Sequence, residues 1–190
     1  MREDRFFMIS FTAACVLPFC AVSVMAQTHG TSNIRAVDFQ NFSYRPTCSY
    51  DAKPLRTHNG EYTRARGDDK IFFKIKDPKY GDLNGDGKDE AVVTSVCNTG
   101  GTGNFTEGFV YTMRGGRPIL LTRIEGGDRA FGGIDDARIE QGLLLVERYA
   151  PDESGGGACC PKYIETTKYR WNGQRLVQIG KTTRRRYTPR

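Results

Sequence analysis

The residues with the most specific chemistry in this 190-residue sequence are Asp82-Leu83-Asn84-Gly85-Asp86-Gly87-Lys88-Asp89-Glu90. Counted from Asp82, side-chain oxygens recur at positions 1, 3, 5 and 9, and Gly87 at position 6 permits a sharp turn. The Lys88 carbonyl at position 7 adds one more oxygen. Calcium is a hard cation that takes about six to eight oxygens, and a tight loop with alternate side chains turned inward supplies them. Position 12 is Val93 rather than Glu, and Ala91-Val92-Val93 reads as a strand, so this is no helix-flanked EF-hand. The expectation is a strand-flanked calcium loop with Asp82, Asn84, Asp86, Lys88 and Glu90 as ligands. Its affinity would be modest, on the order of 10⁻⁴–10⁻³ M, as in extracellular modules. Asp89 is expected to face solvent. The competing reading is a metal-free Asn/Asp/Gly turn.

Other segments offer less. Gly126-Gly127-Asp128-Arg129-Ala130-Phe131-Gly132-Gly133 sets an Asp-Arg pair between glycines, where Arg129 could read a carboxylate or phosphate. Asp128 and Arg129 are therefore ligand-binding candidates, against the plainer reading of a turn in which they pair or cap neighbouring strands. Asn98-Thr99-Gly100-Gly101-Thr102-Gly103 reads as a flexible connector. Catalysis has little to rest on. His29 and His58 lack any nucleophile motif. Asp135 and Asp136 are neighbours in a probable strand, where side chains alternate, so they are expected on opposite faces rather than as an acid–base pair.

At the acidic loop the chain resembles the FG-GAP and VCBS-type repeats, in which a DxNxDGxxD loop enters a β-strand. That resemblance implies calcium for structure and no catalysis. A wider one is to small exported bacterial lipoproteins of the LppP/LprE kind. It is carried by Gly81 through Gly87, Glu90-Ala91-Val92-Val93, Cys159-Cys160-Pro161 and Tyr169-Arg170-Trp171-Asn172-Gly173. It implies an envelope protein and no activity. Neither Cys15 nor Cys20 sits in a good lipobox, so a lipid anchor does not carry over.

The elements that must position these residues are short strands between Gly, Asn and Asp turns. Strand character is expected within 34–44 and at 71–75, 91–97, 108–113, 119–124, 134–139, 143–149, 163–171 and 176–179. Turns are expected at Asn59-Gly60, Gly115-Gly116, Gln141-Gly142, Asn172-Gly173 and the Ser154–Gly157 loop. No stretch has a sustained helical apolar repeat. The fold class is all-β, a single antiparallel meander folded as a sandwich or rolled sheet.

Residues 1–26 have the n-region, apolar core and Val24-Met25-Ala26 ending of a cleaved signal peptide, so an exported protein, periplasmic or extracellular, is expected. The β-domain would occupy 27–180, without a stable membrane span, and 181–190 would be a basic C-terminal tail, read as a solvated, frayed end against the alternative of a weak attraction to an anionic envelope surface. Lys181, Arg184, Arg185, Arg186 and Arg190 account for most of the net charge of +6. The body without them is near neutral, which argues against nucleic acid as a partner. Cys48, Cys97, Cys159 and Cys160 suggest two disulfides, with Cys48 and Cys97 each expected to pair with one of the adjacent cysteines. The function expected is a monomeric, calcium-stabilised binding or structural module for a protein or glycan of the cell envelope. The alternatives are a secreted hydrolase inhibitor and an enzyme using Asp128 and Arg129.

Overall fold

The structure, a computed structural model, describes residues 33–49, 53–67, 69–150 and 161–188. The signal segment, the Ser154–Gly157 loop, Cys159 and Cys160 lie outside them. The strands are β1 (Ser43–Tyr44), β2 (Leu55–Arg56), β3 (Glu61–Arg66), β4 (Asp69–Ile75), β5 (Lys79–Gly81) and β6 (Glu90–Asn98). They continue with β7 (Phe105–Arg114), β8 (Arg117–Asp128), β9 (Ile134–Glu140), β10 (Leu143–Ala150), β11 (Tyr163–Trp171) and β12 (Leu176–Arg186). Every pairing between them is antiparallel. One sheet runs β3-β4-β6-β7-β8, with β5 also on β6; a second is the meander β12-β11-β10-β9; β1 and β2 form a small ribbon. The fold is therefore all-β, with antiparallel sheets packed together and, among the described residues, no closed barrel.

The large sheet is covered on both faces, and that explains the composition of β6. Its residues Ala91-Val92-Val93-Thr94-Ser95 are buried in succession instead of alternating with exposed ones. Ala91, Val93 and Cys97 join Ile71, Phe73, Phe109 and Tyr111 in a cluster closed by Ile34, Phe39, Tyr44 and Leu55 of the N-terminal segment. On the opposite face, Val92, Val110 and Ile124 meet Ile134, Ala137, Ile139, Leu144 and Val146 of the second sheet. Each such fully buried aliphatic or aromatic side chain contributes about 1.5–3 kcal/mol.

The N-terminal segment departs from the expected strand. Asn33 and Asp38 accept hydrogen bonds from the amides of Arg35 and Asn41, at 2.9 and 3.1 Å. These local bonds wind Ile34–Ala36 and Phe39–Asn41 into 3-10 turns, leaving only Ser43–Tyr44 in a strand. A disulfide joins Cys48 to Cys97 across 49 residues, tying this segment to the end of β6. The expected pairing of each with Cys159 or Cys160 is thereby corrected. A crosslink over a loop of this size stabilises by roughly 2–4 kcal/mol.

The basic tail is also corrected. Strand β12 continues through Arg186, because Arg184 meets Glu165 at 3.1 Å and Arg185 meets Glu147 at 2.7 Å across the sheet. Arg185 ends a row of alternating charges that crosses the second sheet to Lys79 on β5. Lys79 holds Asp136 at 2.5 Å, Arg138 lies 3.8 Å from Asp136 and 2.8 Å from Glu147, and Glu147 reaches Arg185. Burial alone would push the Glu147 carboxyl up, but the hydrogen bonds and charges of Arg138 and Arg185 outweigh it and hold the group below its ordinary value. An unfolded glutamate titrates near about 4.3. The pairing thus stabilises the fold above about pH 4.3, and that contribution is lost as pH falls toward the lower folded value. Accordingly, Glu147→Gln should cost most near neutral pH and far less near about pH 3, read as the gap between wild-type and variant urea midpoints. A gap that stays constant with pH would contradict the charge row.

Candidate functional site

The Asp82–Glu90 loop joins β5 to β6, as a strand-flanked loop requires. Its side chains fold it onto itself. Asp82 accepts from the Gly85 and Gly87 amides at 2.7 and 3.0 Å, Asn84 Oδ1 from the Asp86 amide at 2.9 Å, and Asp86 Oδ1 from the Lys88 amide at 2.9 Å. Gly85 and Gly87 both have φ of +78°, which a larger residue adopts only with strain. Asp89, expected to face solvent, is half-buried and pairs with the more exposed Arg35 at 2.6 Å.

Glu90 behaves unlike the other acidic residues. It is fully buried. One oxygen accepts from the amides of Leu83 and Asn84 at 2.9 and 3.2 Å, and the other from the Asn84 side-chain amide and the Thr112 hydroxyl at 3.0 and 2.8 Å. A carboxylate offers about four acceptor sites, and these four donors fill them. Glu90 has none left for an ion, so its expected role as a ligand gives way to that of an anchor holding the loop to β6 and β7. Burial pushes its carboxyl up, while the donors from Leu83, Thr112 and Asn84 pull it back.

The remaining donor set suits calcium in kind. Asp82, Asn84 and Asp86 present hard oxygens, each engaged oxygen accepts one amide and keeps a lone pair, and the Lys88 carbonyl belongs to the same loop. Among the described residues no three His, Cys, Asp or Glu side chains converge as a metal-holding group.

A second site lies at the other end of β6. The Asn98–Gly103 loop follows β6, so it sits a strand length from the acidic loop, and it is an organised turn: the Asn98 side chain donates to the carbonyls of Gly101 and Gly103 and accepts from the Gly100 amide. It lies beside the Gly126–Gly133 segment, and together they form a groove of about 650 Å³ lined by Thr102, Asn104, Phe105, Asp128, Arg129 and Phe131. Asp128 is committed to structure here. It caps the 3-10 turn Arg129–Phe131 through Ala130 at 2.7 Å and accepts the Asn104 amide at 2.8 Å. The Arg129 and Gly133 amides donate to the Asn104 and Asp128 carbonyls at 3.0 and 2.9 Å, and the Arg129 guanidinium lies 5.2 Å over the Tyr149 ring. A Cβ on Gly126 would collide with the Thr106 carbonyl, so this close approach requires glycine. The result is a segment pinned at both ends that leaves Phe131 81% exposed, with Phe105 47% exposed beside it. Sequence reasoning singled out Asp128 and Arg129 and passed over Phe131. The available signal was a large aromatic set among glycines.

The Asp135-Asp136 pair differs from expectation as well. The register slips where Glu147 faces Asp136 but Arg148 faces Ile134, which leaves Asp135 as the extra residue of a β-bulge. Both carboxylates therefore line one recess of about 350 Å³ with Lys76, Asp77, Lys79 and Tyr187. Neither is an idle acid or base: Lys79 takes both oxygens of Asp136 at 2.5 and 2.6 Å, and the Tyr149 hydroxyl donates to Asp135 at 2.6 Å.

No family model, curated protein or solved structure matches the chain. The role of Glu90 is testable on its own. Glu90→Gln turns an NH₂ toward donors and should destabilise the fold by about 1–3 kcal/mol in urea unfolding, whereas Asp89→Asn, at the exposed pair, should cost under ~1 kcal/mol. Equal costs would show that the anchor is not special.

Proposed function

We propose that the chain is an exported, calcium-stabilised binding module of the cell envelope, whose partner contact is the groove beside Phe131 and whose task is recognition rather than catalysis. The observation that carries this reading is the pinned Gly126–Gly133 segment with Phe131 in solvent. Aromatic anchors dominate binding energies, and a loop already fixed in its bound shape avoids the ordering cost of association. Asp128 serves here as the residue that sets the loop, and Arg129 as a cation at the groove's rim. The side chains of Asp82, Asn84 and Asp86 and the Lys88 carbonyl would hold the ion, whose contribution is to draw the loop's oxygens to one centre and stiffen the entry to β6. Secretion of a hydrolase inhibitor is the second reading, favoured by the same feature: a rigid loop carrying one protruding Phe fits an apolar specificity pocket.

Two measurements test this. Calcium at about tenfold above its Kd should raise the melting temperature of the oxidised protein over that in chelator by roughly 3–6 °C. Asp86→Ala should abolish the rise, and an unchanged wild-type melt would reduce the loop to a metal-free turn. Separately, a photo-crosslinking residue at position 131 in exporting cells should give one discrete adduct, with none from exposed position 114. No adduct, or the same smear from both positions, would remove the groove as the contact. In a panel of purified hydrolases, inhibition lost in Phe131→Ala would select the inhibitor reading.

A further inference from the structure

The charge of this chain is concentrated in its last hairpin. Residues 161–188 hold eight of its 28 lysines and arginines and one, Glu165, of its 22 acidic residues, so the hairpin alone is more positive than the whole chain's +6. All eight cations are exposed. Three have partners already described or other contacts: Arg184 with Glu165, Arg185 with Glu147, and Lys162. Among the described residues Lys168, Arg170, Arg175, Lys181 and Arg186 enter no ion pair.

Cations on an edge strand deter strand-to-strand association, and β12 is such an edge. That does not account for Lys168 and Arg170, which stand on the inner strand β11. The register sets Lys168 opposite Ile179 and Arg170 opposite Val177, so two cations and two aliphatic side chains share one face. Val177 is 38% exposed. Strand β12 spans 11 residues, about 36 Å, so the charge follows an extended surface rather than a pocket.

We propose that the β11–β12 hairpin docks this protein on an anionic phospholipid surface, independently of the Phe131 groove. The aliphatic side chains would enter the interface while Lys168 and Arg170, through their flexible stems, reach the phosphates. Arg175 at the turn and Lys181 along the edge extend the contact. Single-stranded nucleic acid fits this surface less well, because bases need free aromatic faces between the cations. Here the aromatic rings are engaged: Arg184 lies 5.0 Å over Tyr163, Tyr187 packs edge-on against Tyr149, and Tyr169 and Trp171 pack against the core between the sheets.

The test is co-sedimentation of the protein, purified after export, with vesicles of phosphatidylcholine alone or mixed equally with phosphatidylglycerol. Binding is expected only to the anionic vesicles, declining steeply with added salt. Combined reversal of Lys168, Arg170, Arg175 and Lys181 to Glu should weaken it about a hundredfold or more. The matched reversal of Arg66, Lys70, Arg114 and Arg117 elsewhere on the surface should change it only slightly, and a thermal melt confirms that both variants fold. Val177→Ser with Ile179→Ser should weaken vesicle binding and leave binding to heparin or oligo(dT) unchanged. Failure to bind anionic vesicles at low salt overturns the proposal. So does equal loss in both reversals, or tighter binding to either soluble polyanion that ignores the Val177 and Ile179 changes.

Discussion

Strand β6 is buried from both sides, and the rest of the molecule is arranged to make that possible. A strand with two covered faces has no room for solvated side chains, so its polar groups must be satisfied within the fold. Glu90 at its first position meets this demand with four donors, and Cys97 near its last is closed by a disulfide. The strand is thus fastened at each end, once by hydrogen bonds and once covalently. Both loops that could carry function begin or end on it.

The acidic residues near these loops divide by solvation more than by type. Asp82 and Asp86 sit on the open side and keep lone pairs, Asp89 answers an arginine from the N-terminal segment, and Glu90 is consumed. The carboxylates on the second sheet divide the same way: Asp136 and Glu147 lie buried under cations, and Glu140 is left outside with Arg138. A buried charge persists only where partners surround it. The positions of Arg138 and Arg185 follow from that need.

Much of this was legible in the residues. Hairpins at Gly115-Gly116, Gln141-Gly142 and Asn172-Gly173 could be read because tight turns demand positive φ, and Gln141 and Gly142 have φ of +51° and +73°. Strand β11 was placed to the residue, and the acidic loop was found on the right boundary between strands. What escaped depends on distant partners. Strand β3 shows no apolar alternation because its side chains are largely exposed. The end of β12 is polar and is held by Glu165 and Glu147, which sequence spacing does not bring near. The bulge at Asp135, the Cys48–Cys97 pairing and the saturation of Glu90 are likewise set by the opposing chain. Phe131 was missed for the inverse reason: its glycine neighbours were the one signal, and a Phe is by default expected to find a core.

The covering of the large sheet by Ile34, Phe39, Tyr44 and Leu55 also sets an order of assembly. These side chains are made first, yet the surface they close is built from β4, β6 and β7, which emerge later. Until that surface exists, the leading segment has only its two capped 3-10 turns and exposes its apolar side chains to water. Its docking is a long-range step, which is slow and leaves such segments open to misassociation. The earliest residues of this domain to be synthesised thus find their place only once β4, β6 and β7 are present, and the Cys48–Cys97 crosslink ties them there.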